Sequence, residues 1–223
     1  MALHADTLRT RSLTAAVFVM VMLTGLFWNY WSFVALFTII HFGCWYEFVK
    51  LVKKIYGRKY LLYCLSGLIY ITIPVLMMVD LRSIDMSRMG VVIPCMIIFS
   101  IWINDTMAYI VGSMIGKTPF SKISPKKTWE GTIGGGILCV VIIGLLGYFI
   151  PATKSIPLSY LIIIASICAV FGTLGDLFES KLKRMSDVKD SGTIMPGHGG
   201  FLDRFDSLLV ATPFVWIYIK ILL

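Results

Sequence analysis

Long apolar runs constrain this chain more than any other feature. Stretches such as 131–150 and 158–179 approach or exceed the roughly 18–20 apolar residues that cross a bilayer, and they recur from end to end. With 58% hydrophobic and 14% charged residues, the 223-residue chain has too little polar surface for a soluble domain. The expected fold is all-α, a polytopic transmembrane helical bundle of seven spans at 12–28, 31–49, 61–79, 89–116, 131–150, 158–179 and 207–223. Residues 1–88 are read as N-terminal membrane helices, used for packing and dimer contacts, and 89–223 as the catalytic domain.

Charge sets the orientation. The net charge of +8 would suit nucleic acid in a soluble chain, but in a membrane protein it marks cytoplasmic loops. With the N-terminus inside, 16 lysines and arginines fall on the cytoplasmic side, in the loops 50–59, 117–130 and 180–206 and at Arg9 and Arg11. Only Arg82, Arg88, Lys154 and Lys220 fall on the other, which places the C-terminus outside. Arg9 and Arg11 before an apolar run suggest a signal peptide. No A-x-A-like site follows, however, and Trp28, Tyr30 and Trp31 form an interfacial belt, so a retained first span is expected. Five cysteines lie inside apolar runs without metal-ligand spacing and read as small hydrophobes. No internal repeat of the kind found in transporters is visible.

The chemistry-bearing residues collect in the cytoplasmic loops. Asp176, Glu179, Ser180, Lys183 and Arg184 share one helical face where the sixth span leaves the membrane. Asp176 still lies within the apolar run, where a carboxylate requires a partner. Downstream, Gly197 to Asp206 joins a glycine-rich turn to a helix start carrying Asp203, Arg204 and Asp206. Glycines let backbone N–H groups approach an anion, and carboxylates at two helix ends among lysines and arginines suit a magnesium-bound polyphosphate. The expected metal ligands are Asp176, Asp203 and Asp206. Lys183, Arg184, Lys189, Gly199, Gly200 and Arg204 are expected to bind substrate. The loop 117–130 adds Ser124, Lys126 and Lys127, with lysines that bind phosphate as point charges. Asp105, near mid-span, is expected to line a polar cavity. His41 is read as a helix-contact residue.

These residues carry a recognisable pattern. Ser180-x-Leu-Lys-Arg, Lys189-Asp190-Ser191-Gly192, Pro196-Gly197-His198-Gly199-Gly200 and Asp203-Arg204-Phe205-Asp206 resemble the signature of CDP-diacylglycerol synthases, also called phosphatidate cytidylyltransferases. Asn104-Asp105-Thr106 through Gly116-Lys117, then Ser124-Pro125-x-Lys127-Thr128-x-Glu130-Gly131, look like the same family's upstream motif. The resemblance spans residues 100–210, and the chain reads as shorter than many bacterial members in its N-terminal half. It implies transfer of a cytidylyl group from CTP to phosphatidate, giving CDP-diacylglycerol and pyrophosphate. It also implies magnesium or manganese, with a second cation as a further expectation. The family's metal-binding aspartates fall on Asp176 and Asp203, and its catalytic and substrate-facing groups on Lys126 or Lys127, Ser124 and His198.

The partners expected are CTP, phosphatidate and the bilayer, with no nucleic acid and with a homodimer as an open alternative. The expected location is the inner (plasma) membrane, with the site at its cytoplasmic face. Rival readings are a CTP-dependent polyprenol kinase, which would leave CDP, an ether-lipid CDP synthase, and a transporter or channel lined by Asp105 and His41. A structural anchor that recruits partners through basic loops leaves Asp176, Asp203 and Asp206 unexplained.

Overall fold

A computed structural model describes residues 5–84, 89–154, 156–194 and 199–222. The described residues are helical apart from short loops, with a single isolated bridge between Pro119 and Thr128. The chain forms two compact units, one of residues 1–75 and 182–205, the other of 76–181 and 206–223.

The first unit begins with α1 (Ala5–Phe27) and α2 (Tyr30–Tyr56). Asn29 separates them because it caps α2: its side chain accepts from Ser32 N at 2.8 Å while Ser32 Oγ accepts from Asn29 N at 3.0 Å. The helices sit close at Gly25, where an added Cβ would stand 2.6 Å from Leu36 Cδ2. Beyond the short α3 (Tyr60–Cys64), the helical path widens into a π turn over Leu68–Thr72. Thr72 Oγ1 takes the Trp45 Nε1 proton at 2.9 Å and lies 3.0 Å from His41 Nε2. His41 is therefore a helix-contact residue, as its sequence context suggests.

The remaining helices are α4 (Ile73–Ser83), α5 (Met89–Ile115), α6 (Trp129–Phe149), α7 (Leu158–Met185) and α8 (Leu202–Leu222). In the second unit α5 and α6 touch through backbone. A Cβ on Gly135 would lie 2.5 Å from Ala108 N, and one on Gly131 2.7 Å from Ala108 O. Thr128 caps α6 by accepting from Gly131 N, and the same hydroxyl lies against Gly112 and Gly116. This small-residue contact is how apolar helices associate where lipid gives no hydrophobic drive. At another point of the unit Asp80 accepts from Trp216 Nε1 at 2.7 Å and pairs with Lys220 at 3.0 Å. These two partners, Trp216 first, hold its carboxyl below the ordinary range.

Four helical stretches are long and apolar enough to cross a membrane: Tyr30–Cys64, Met89–Ile115, Trp129–Phe149 and Leu158–Met185. The other three segments expected from sequence are helical but differ in kind. The apolar part of α1 is shorter, at Ser12–Phe27; 61–79 is interrupted by the π turn; and α8 opens on Asp203, Arg204 and Asp206. The five cysteines are free, and all but the half-buried Cys64 are buried, which fits their reading as small hydrophobes.

Candidate active site

The basic loop between α5 and α6 is folded by a carboxylate. Glu130, in the first turn of α6, accepts from Lys117 N and Thr118 N at 3.2 Å and from Thr118 Oγ1 at 2.8 Å. Trp129 N donates to Thr118 O and Phe120 N to Lys127 O, so the loop doubles back on itself. The Trp129 ring meets Phe120 edge-on at 4.5 Å. Glu130 and Trp129 fix the shape of this loop.

That shape presents Lys127, whose Nζ lies 2.6 Å from Asp176 Oδ2, each side chain somewhat under a third exposed. Ser180 Oγ, one turn along α7, donates to Asp176 Oδ1 at 3.2 Å. Asp105 of α5 and Asp206 of α8 join the group: both feel the charges of Lys127 and Asp176, and Asp206 also feels Asp105. Glycine makes the approach feasible. A Cβ on Gly175 would stand 2.5 Å from Asp206 O, so a larger residue before Asp176 would push α7 from α8. The result is a lysine–aspartate ion pair with two further aspartates within electrostatic reach, of which Asp206 is buried. Asp105 keeps exposed surface but takes a hydrogen bond from the Asn104 side chain, and Asn104 is itself buried with Oδ1 lacking a partner among the described residues.

In the first unit a second cluster centres on Asp203. Its Oδ1 pairs with Lys183 Nζ at 2.6 Å. Its Oδ2 accepts from Ser191 N at 2.9 Å, Ser191 Oγ at 2.8 Å and Gly200 N at 2.8 Å. Beneath it lies Glu47 of α2, 1% exposed. The Glu47 carboxylate accepts from Phe201 N at 3.0 Å, Leu202 N at 2.9 Å and Ser191 Oγ at 2.7 Å. Phe201 and Leu202 carry N–H groups at the start of α8 that have no partner within the helix, so a residue more than 150 positions earlier caps it. Gly192 and Gly200 press so closely on Glu47 that a Cβ at either would overlap its carboxylate. Gly199 has φ +84°, a backbone conformation glycine adopts freely, and a Cβ there would meet Asp203 Oδ2 at 2.7 Å. Gly192, Gly199 and Gly200 thus pack against two carboxylates.

Of the residues singled out from sequence, Asp105, Lys127, Asp176 and Asp206 come together in the second unit. Lys183, Gly199, Gly200 and Asp203 come together in the first. Ser124 lies in the loop turn, its carbonyl accepting from Lys127 N, and Lys126 is exposed beside it. Arg184 donates to Val188 O at the end of α7. Lys189 and Arg204 are exposed. His198 lies outside the described residues. Sequence reasoning missed Glu47. Its signal was there: one acid inside an apolar span, the same argument that drew attention to Asp105.

The carboxylates suit a hard divalent cation. Among the described residues no three or more His, Cys, Asp or Glu close on one point. Magnesium does not need such a cage; it commonly binds through one or two carboxylates, with substrate phosphates and water completing its shell. Asp176 and Asp203 each turn one oxygen to an ammonium group.

Comparison with known proteins adds direct evidence. The model of the cytidylyltransferase family matches residues 63–222. A phosphatidate cytidylyltransferase of Rickettsia bellii is 34% identical over 220 residues, covering 95% of this chain and 90% of that protein. The Rickettsia typhi protein of the same name is 34% identical over 208 residues, covering 91% and 88%. That of Bacillus subtilis is 42% identical over 144 residues, 64% of this chain and 52% of its own length. The match thus spans about half the length of the Bacillus relative and nearly all of the rickettsial ones.

Proposed function

The chain belongs to the cytidylyltransferase family, and from that membership we propose that it transfers a cytidylyl group from CTP to phosphatidate, forming CDP-diacylglycerol and pyrophosphate. The observation that carries this reading is the Lys127–Asp176 ion pair, with Asp105 and Asp206 within its electrostatic reach, in a unit of apolar helices. It is a polyphosphate-and-metal site where a lipid can arrive. The names of the rickettsial relatives, matched over nearly their whole length, support the same substrates.

The chemistry asks little of the protein in proton transfer. A phosphomonoester's second pKa is about 6, so the phosphate of phosphatidate is largely ionised near neutrality and is itself the nucleophile. One of its oxygens attacks the α-phosphorus of CTP; the bond from that phosphorus to the bridging oxygen breaks, and pyrophosphate leaves with the electron pair. What remains is to hold two polyanions together and stabilise charge on the leaving group. Lys127 and Lys183 engage phosphate oxygens. Asp176 and Asp206, with Asp105 beside them, and Asp203 in its own cluster are the carboxylates that would hold magnesium or manganese. The metal, when bound, neutralises charge on the pyrophosphate. The purified protein is expected to move label from CTP into chloroform-soluble product and to stop in excess chelator. Release of CDP in place of pyrophosphate would mean a kinase, and full turnover in chelator would remove the metal role.

We further read the chain as crossing the inner membrane seven times, with the loops 117–130 and 180–206 at the cytoplasmic face. The support is the 16-to-4 distribution of lysine and arginine. Cysteine or epitope tags near residues 55, 122 and 190 should be protected from impermeant reagents in intact cells, and a C-terminal tag should react. Labelling at 190 from outside would reverse the orientation.

A further inference from the structure

The second unit holds an apolar trough of about 510 Å³ between α6 and α7. Trp129, Gly136 and Val140 line it from α6, and Ala169, Val170 and Thr173 from α7. We infer that this trough seats one acyl chain of the lipid-phosphate substrate, an assignment that rests on the proposed use of phosphatidate.

Three observations carry it. First, the wall is hydrocarbon in effect. The hydroxyls along α7 are turned to their own helix, Ser166 Oγ donating to Ile162 O and Thr173 Oγ1 to Ala169 O, both at 2.8 Å. Second, the length fits. From Trp129 to Val141 along α6 is 12 residues, about 18 Å at 1.5 Å per residue. Half of a ~30 Å hydrocarbon core is the depth of one leaflet, the depth one acyl chain occupies. Third, the trough has a charged end matched to a lipid phosphate. Trp129 is two residues from Lys127, and Thr173 is one turn before Asp176, the ion-paired couple of the candidate site. The Phe120 and Trp129 rings mark that end, at the level where aromatic side chains sit against head groups. A ligand with an anionic head and a long apolar tail meets both ends of this surface at once. Gly136 leaves the space open: its added Cβ would only reach ordinary contact with Ala169 Cβ, at 3.6 Å, so bulk there or at Val140 takes up room rather than breaking the helix pair.

The test uses the purified full chain in phosphatidylcholine nanodiscs and a phosphatidate carrying a diazirine midway along one acyl chain. Light should attach the probe to α6 and α7 residues of the trough, with excess unlabelled phosphatidate suppressing attachment and further phosphatidylcholine not doing so. Val140→Trp should reduce attachment, and should lower the long-chain to short-chain ratio of kcat/KM about tenfold, the equivalent of roughly two buried methylenes. Leu145→Trp, on α6 but outside the trough, is the control and should leave that ratio alone. Attachment spread around all helices, or competed equally by phosphatidylcholine, would mean ordinary membrane lipid fills the trough and would overturn the assignment. Attachment to a second copy of the chain in place of the trough would overturn it too. Competed attachment in the trough without any cytidylyl transfer would sink the proposed activity but keep the lipid site; transfer with diffuse attachment would do the reverse.

Discussion

Asp176→Asn and Asp203→Asn are each expected to lower kcat by about 10³-fold or more while the protein still inserts and purifies. That scale is what removing a charge-stabilising group from a phosphoryl-transfer site usually costs. Insertion is driven by apolar helices; Asp203 lies outside the four long ones, and Asp176→Asn only removes a charge from Leu158–Met185. The structure also separates the two variants. Asp176 has one lysine and one serine partner at a partly open position, so its amide should leave thermal stability close to the parent. Asp203 accepts four bonds, three on one oxygen, and Lys183 holds the other. An asparagine there can keep its oxygen toward Ser191 and Gly200 only by turning its NH₂ toward the Lys183 ammonium. Asp203→Asn should therefore lose activity and also melt earlier. Lys127→Ala should mainly raise KM for CTP, since a lysine that binds phosphate equally before and during reaction contributes uniform binding. Steady-state kinetics against magnesium, with melting curves on the same samples, make the comparison. Near-normal turnover in Asp176→Asn would end its role as a metal-holding group.

Glu47→Ala should be the most destabilising single change in the first unit. It strips the acceptor from Phe201 N and Leu202 N in a site 1% exposed, while the single Ser191 hydroxyl proton can still turn to Asp203. Leaving a buried donor unpaired costs about 1–3 kcal/mol each, so a loss of about 3 kcal/mol or more is expected. Glu47→Gln keeps the volume and one acceptor oxygen but places an NH₂ where donors converge, and should fall between. The melting midpoint in detergent gives the size of the effect. Hydrogen exchange gives its location: the Phe201 and Leu202 amides should lose protection in both variants, and those of α6 should not. Unchanged exchange at Phe201 in Glu47→Ala would show that α8 is capped by something else. Because Ser191 links Glu47 to Asp203, activity should fall as well, with part of the loss recovered in Glu47→Gln.

What could be read from sequence follows from the range of the forces involved. Helices at 31–49, 89–116, 131–150 and 158–179 were legible because burial in lipid is a property of each run by itself. Asp176, Lys127 and Asp203 were legible as charged residues crowded at helix ends. The break in 61–79 was not, since the π turn answers to Trp45 and His41, which reach Thr72 across 27 and 31 residues. The capping role of Glu47 was hidden for the same reason, although its charge inside an apolar span was visible. Its partners lie 144 to 155 residues away, and nothing local marks an acid in an apolar run as a cap for a distant helix. Glu130 is an intermediate case: it follows the lysines it organises, yet only the folded loop shows that it binds the amides of Lys117 and Thr118 rather than a substrate.

The backbone contact between α5 and α6 has an entropic consequence for Lys127. Helices that meet backbone to backbone at Ala108, Gly131 and Gly135 cannot slip by a residue without driving a side chain into the contact. The loop 117–128 therefore starts and ends on one stiff frame, and Glu130 bonds its first residues to its last turn. A lysine on a free loop would surrender its conformational freedom each time a phosphate bound. Here most of that freedom is lost once, when the chain folds, so little of the binding energy of a polyphosphate is consumed in ordering the protein.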